Sequence, residues 1–437
     1  MSGLEITYDW LDFDGHDEPA IERTFATLRI VADGQCVTRV LDKRARTTLE
    51  HVVVPLYPVA EWIAANWWTL LEECHVPERE ASHADYLRRH ALRTASEGYA
   101  LPDLRVIPEG DWARLKWLPR RTQHQTVDFL EGGEAHLPAA ELHQALADLV
   151  NSVSARLDAS GTTDTWLQRE WKAIQSAEPE EREFCSAAAW LGLDPYEVDD
   201  ATADLVLAMW RQAPPGVRED IFRASSGERL AESVNWVEVG IAAIQSALQD
   251  GRDWSALRKR VGPLPVGDVP WRQGYLMAQD LRARLGLHDR VPLSLDELLR
   301  APFPVIAANR PPVASLDGLF GCSPAQAPCC YTAKRRPESQ RFVCARGLMS
   351  FFYGSPEAPL LLSSVPTRLQ QQSRAFAAEL LAPAQFIRPR LGGDEVSPEQ
   401  VADLAAEFAV SPYVIEHQIQ NHRLALLTNL WGDGVGS

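Results

Sequence analysis

Much of what would point directly to an enzyme is missing from this chain. It has no Gly-x-Gly-x-x-Gly or Gly-x-x-x-x-Gly-Lys-[Ser/Thr] loop to cradle phosphates. It has no Gly-x-Ser-x-Gly elbow to present a serine nucleophile, and the zinc-peptidase motif His-Glu-x-x-His occurs nowhere in its 437 residues. No apolar run approaches the ~20 residues that would span a bilayer, so no membrane partner is expected. The start, MSGLEITYDWLDFDG, carries neither a basic nor an apolar stretch, so no secretory signal is expected either. Basic residues are in deficit: 43 Lys and Arg stand against 60 Asp and Glu, a net charge of −17. Such a chain repels phosphate backbones on average, so nucleic acid is not expected as a partner of the chain alone. The seven Cys have irregular spacing, which reads as reduced thiols in a cytoplasmic protein rather than a disulfide framework.

What is present is an ordinary globular composition, 46% hydrophobic and 24% charged, with 14 Trp to anchor cores. The length suits two or three domains. The expected fold class is α+β, with a mixed α/β domain over residues 1–160 and a helical middle over 161–260. A mainly helical domain with a small sheet is expected over 261–437. In the first domain, Leu28–Ala32 and Gln35–Val40 flank Asp33-Gly34, a strong hairpin signal. The run Val52–Tyr57 precedes Pro58 and a helical stretch, VAEWIAANWWTLLEE. Strands are expected at Leu104–Ile107, Ala113–Trp117 and Val127–Leu130, and a helix at Ala139–Leu157. No motif of known chemistry stands out there. In the middle, the helix–LGLDP–helix segment outlines a helix-turn-helix, but its acids Asp194, Glu197, Asp199 and Asp200 stand where a DNA reader needs Arg or Lys. The Pro/Gly-rich segment Val261–Trp271 marks the next boundary.

The last part carries three ordered blocks: LDGLFG at Leu316–Gly321, FAAELLAP at Phe376–Pro383, and VADLAAEFAVSPYVIEHQIQNHRLA from Val401 to Ala425. Their order and spacing resemble ImmA/IrrE-type zinc metallopeptidases over roughly Pro270 to Leu427. The resemblance places the metal-binding helix at RFVCARGLMSFFYG, Arg341–Gly354, where the family has a segment of the form RFTLAHELGHYLLH. Aligned on Arg341-Phe342, the first metal-binding His becomes Arg346, the catalytic Glu becomes Gly347, and the second His becomes Ser350; Leu348 and Met349 lie between. The family's third, acidic ligand falls four residues before Phe376, at Gln372. A guanidinium repels Zn²⁺, glycine offers no base, and an amide is a poor ligand. Zinc is therefore not expected, and no catalytic residue is assigned. Leu369, Gln372 and Phe376 read as one inward stripe, which would bring Arg346, Ser350 and Gln372 around one pocket. Arg346 could supply there the charge that zinc once did, paired with an acid such as Glu379. Phe376, Glu379 and Pro383 belong to the family signature.

Two further groups stand out. Cys322, Cys329, Cys330 and Cys344 cluster within 23 positions, but not as the paired knuckles of structural zinc. They read as buried thiols, with a metal site as the sharper alternative. Lys334, Arg335, Arg336 and Arg341 form a basic patch for an acidic partner, or a solvated loop. The resemblance implies a non-catalytic regulator or sensor that binds a protein partner, such as a helix-turn-helix regulator or a defence protein. Active relatives cleave helix-turn-helix repressors in stress-response, toxin–antitoxin and phage-defence settings. Two alternatives remain: a divergent active zinc endopeptidase cutting such a repressor, and a nucleic-acid-associated defence component.

Overall fold

The computed structural model describes residues 3–13, 15–76, 83–121, 126–247, 254–263, 269–287, 290–355 and 358–428. The fold is α+β, with helices and several small sheets. The chain divides into two compact units rather than three. The first comprises Met1–Arg211, Ser225–Gly227 and Val365–Thr367, and the second Gln212–Ala224, Glu228–Ser364 and Arg368–Ser437. The boundaries expected near residues 160 and 260 do not mark these units, because the helical middle is shared out by its aromatic contacts. Trp171 meets Trp67 edge-on at 4.7 Å, and Trp190 Nε1 donates to Glu72 at 2.7 Å, which ties the helices Trp166–Ser176 and Pro179–Trp190 to the first unit. Trp236 of the helix Leu230–Gln245 instead packs on Tyr331 at 5.1 Å in the second unit.

In the first unit, Leu4–Trp10 pairs antiparallel with Phe25–Ala32, which also pairs with Gln35–Cys36 and Val52–Pro55. The hairpin forms at Asp33-Gly34, where both residues have positive φ, 48° and 75°. A two-residue turn of that hand matches the strand twist. Its return strand ends at Cys36, and Val40–Asp42 instead joins Thr47–Leu49 and Val127–Phe129 in a separate sheet. A meander of Asp103–Pro108, Trp112–Leu118 and Gly133–Pro138 leads into the helix Ala139–Ala159. The Trp-rich stretch folds as two helices, Tyr57–Ala65 and Trp67–Glu72, broken at Asn66.

The second unit holds a four-stranded sheet in the order Val305–Ala307, Pro328–Thr332, Leu316–Cys322, Leu360–Ser363; the first pair is parallel and the others antiparallel. Successive strand residues point to opposite faces. Phe320 therefore meets the helix Pro337–Tyr353 on one face, while Tyr331 meets the helix Leu230–Gln245 on the other. The helices Pro270–Arg284 and Arg368–Leu381 complete the core with Met277, Phe376 and Leu380. Among the described residues, no helix is long and apolar enough to cross a membrane.

Candidate functional site

The helix Pro337–Tyr353 starts at a proline, which tolerates the first turn because its missing N–H has no partner there. From Val343 to Met349 every residue is buried, so the helix is enclosed rather than lying on a surface. At Gly347 it presses on the sheet: a β-carbon there would overlap the Phe320 ring. Position 347, where the expected resemblance would put a catalytic glutamate, thus has no room for a side chain unless Phe320 moves.

Arg346, one residue earlier, points elsewhere and is 1% exposed. Its guanidinium donates from Nη1 to Asp317 Oδ2 at 2.7 Å and from Nη2 to Gln370 Oε1 at 2.6 Å. Nη2 also donates to the Ser363 carbonyl at 2.8 Å, and Nε to Ser373 Oγ at 3.2 Å. Four bonds nearly exhaust the five N–H donors of a guanidinium, which is what makes a buried cation tolerable. Burial pushes its pKa down, against the opposing pull of Asp317. Gln370 is fixed in turn, donating to the Leu361 carbonyl at 2.6 Å and accepting from the Ser363 N–H at 3.0 Å. Asp220 lies beside Gln370 and Arg346; burial pushes its carboxyl up to about 6, opposed by Arg223. Asp317 is also held by Lys334 Nζ at 2.8 Å.

These partners differ from those the sequence indicated. Gln372 does not meet Arg346; its Nε2 lies 3.3 Å from Met277 Sδ in the helix Pro270–Arg284. Leu369 is 41% exposed, so the inward stripe containing Gln372 does not exist as drawn. The helix Arg368–Leu381 is covered on several sides, and the side facing Arg346 runs through Gln370 and Ser373. Ser350 shares the helix face of Arg346 by spacing and is half-buried near the helix end, where its carbonyl accepts from Gly354 N–H. Glu379 does not pair with Arg346 either. It is 1% exposed and accepts from Gln279 at 2.8 Å and Gln418 at 2.8 Å, so it ties three helices together. Phe376 is buried in the core, and Pro383 begins the short helix Ala384–Ile387. The sequence reading passed over Asp317, Gln370 and Ser373. A charged residue inside the apolar strand LDGLFG was the available signal for the first.

The basic patch separates into different roles. Arg341 turns inward and clasps a helix end, donating to the carbonyls of Phe408 at 2.9 Å, Ala409 at 2.6 Å and Leu293 at 3.1 Å. It is therefore a structural cation rather than a partner-binding one. Lys334 is half-exposed, while Arg335 and Arg336 are exposed. The cysteines also divide. Cys329 and Cys330 are adjacent in the strand Pro328–Thr332 and point to opposite faces. Cys330, pushed well up by its hydrogen bond with Cys344 and by burial, faces the helix Pro337–Tyr353. Burial pushes Cys322 up to about 11 and Cys329 up to about 12. All four are free thiols, and burial disfavours the charged thiolate at Cys322, Cys329 and Cys330. Among the described residues, no group of three or more His, Cys, Asp or Glu is gathered to hold a metal ion.

The chain matches no protein-family model, and no curated protein matches it significantly.

Proposed function

We propose that this protein is a non-catalytic regulator or sensor of ImmA/IrrE type, a pseudopeptidase that acts in the cytoplasm by binding a protein partner. The observation that carries the reading is the Arg346 constellation. At the position aligned with a metal-binding histidine stands a cation whose donors are spent on Asp317, Gln370, Ser363 and Ser373. A cation so placed opposes a second cation at the same point by several kcal/mol, because charges close together in a poorly solvated site interact strongly. The neighbouring Gly347 cannot be replaced by a general base without displacing Phe320. The partner this reading favours is a helix-turn-helix regulator or a defence protein, held without being cut.

The test has two arms. The chain is affinity-purified from its source cells, and the complex is rebuilt from purified components. An uncleaved, stoichiometric complex is expected, together with far less than one zinc per chain by mass spectrometry. Chelator-sensitive cleavage of the partner, or zinc bound at one per chain, would overturn the proposal.

A further inference from the structure

The strands Val305–Ala307 and Pro328–Thr332 run parallel and end side by side. Ligands of open α/β sheets gather beyond the carboxyl ends of parallel strands, where the departing loops leave a crevice. Here Ala308 follows the first strand and Ala333, Lys334 and Arg335 follow the second. All four line a cavity of about 730 Å³. The volume lies within the range of small-ligand sites.

Its charge is unusual for so acidic a chain. Arg229, Arg310, Lys334 and Arg335 line it, against the carboxylates of Glu232 and Asp317. Glu232 is taken by Arg229 at 2.8 Å. Asp317 is shared between Lys334 at 2.8 Å and the buried Arg346 at 2.7 Å, so one carboxylate answers two cations. Arg310 and Arg335 are exposed and have no carboxylate partner among the described residues. Unpaired guanidiniums held in a concave site raise the local concentration of anions even on a protein of opposite net charge. The rest of the wall, Pro311, Pro312 and Leu316, is apolar.

We propose that this cavity binds a small phosphate monoester carrying a planar ring, of the nucleoside monophosphate class. Arg310 and Arg335 hold the phosphate, since the guanidinium fork matches its oxygens. Lys334 contributes as a point charge, and it can turn to the ligand because Asp317 keeps Arg346 when Lys334 leaves. The proline wall takes the ring, for which inorganic phosphate leaves the volume unused. The inference rests on the cavity alone and stands independently of the pseudopeptidase reading.

The experiment is calorimetric titration of the full chain with AMP, GMP, CMP and UMP, with inorganic phosphate and adenosine as controls. At least one monophosphate is expected to bind about ten-fold or more tighter than phosphate, with adenosine weaker still. Arg310→Ala/Arg335→Ala is expected to weaken that monophosphate about ten-fold or more and to flatten its salt dependence. Both side chains are exposed, so the ligand-free melting temperature should not move. Glu232→Gln, which releases Arg229, is expected to tighten binding. The proposal is overturned if no monophosphate binds at about 1 mM, if the double variant binds unchanged, or if adenosine binds as well as AMP. A loss of binding accompanied by a lower ligand-free melting temperature is resolved with Arg310→Gln/Arg335→Gln, where retained affinity in a stable variant would refute it.

Discussion

Replacing Arg346 by alanine removes a guanidinium that satisfies four acceptors at once, all of them in the second unit. Gln370, Ser363 and Ser373 are 0% exposed and have no solvent to replace the lost bonds. The Gln370 carbonyl keeps the Ser363 N–H, the Ser363 carbonyl keeps Arg374, and Asp317 retains Lys334. The loss is therefore of charge-assisted bonds and of the cation that donates to Ser373. Breaking a buried pair on one side costs about 3–5 kcal/mol, because the groups left behind keep their desolvation cost. The arginine stem adds a packing loss of the same sign. Urea denaturation followed by tryptophan fluorescence reads this directly. With a slope of about 3 kcal/mol per molar, the transition of the second unit should fall by roughly 1 M or more. Arg346→Lys should recover only part, since one ammonium cannot reach acceptors spread as a planar fork reaches them. Combining Arg346→Ala with Asp317→Ala should cost less than the sum of the singles, because the second change removes the stranded carboxylate. A shift below about 1 kcal/mol for Arg346→Ala, or strict additivity in the cycle, would show that the constellation does not hold this core together.

Gly347→Ala tests the close approach to Phe320. An ordinary Gly-to-Ala change within a helix gains about 1 kcal/mol, whereas overlap with the ring should reverse the sign and cost about 1–3 kcal/mol. A raised melting temperature would refute the packing argument, and Phe320→Leu should partly rescue the variant. Arg341→Ala should release the C-terminal end of the helix Pro398–Phe408, read as faster amide hydrogen exchange there; unchanged protection would refute its role as a clasp. In the first unit, Glu73 accepts two bonds from Arg89, at 2.8 and 2.6 Å, and lies 3.1 Å from His90 Nε2. Burial pushes its carboxyl up, but the bonds from His90 and Arg89 outweigh this and hold it at about 2, below its ordinary 4.5. The folded state therefore binds this proton less readily than the unfolded chain. Its contribution, roughly 3 kcal/mol, is complete above pH 4.5 and is lost as pH falls toward 2. Glu73→Gln should lower stability by that amount at pH 7, and the gap should narrow to under half by about pH 3. A gap independent of pH would contradict the assignment.

The parts of this fold that sequence made legible are those fixed by local chemistry. Asp33-Gly34 forms its turn because two positive φ values suit those residues. Pro58 and Pro138 sit at helix starts for the reason that favours proline there. The strands Pro328–Thr332 and Leu360–Ser363 escaped notice because short apolar runs buried on both faces show no alternation. The division into units was likewise hidden, since it depends on which distant element each middle helix meets. Arg346 could be singled out by its position, but its partners could not. A helix buried on several sides presents no single stripe, so Gln370 and Gln372, two residues apart, face different neighbours.

The same geometry explains why an acidic chain can carry a basic cavity. Arg346 is buried and needs a carboxylate, and Asp317 supplies it from the second position of the strand Leu316–Cys322. That carboxylate is thereby committed inward, since freeing it would leave a cation without water or a counter-charge. Lys334 shares it only from the solvent side, with 39% of its side chain exposed. The cavity's one deep carboxylate is thus spent on the interior, and the cations around its mouth keep most of their charge. The buried arginine that replaces a metal-binding histidine in the proposed alignment would, on this account, be what leaves the outer pocket positive. The two features are then linked through Asp317: Asp317→Asn should tighten anion binding at the same time as it loosens the core. An Asp317→Asn variant that lost stability without any gain in anion affinity would separate the two and show that the surface charge is set by the loop arginines alone.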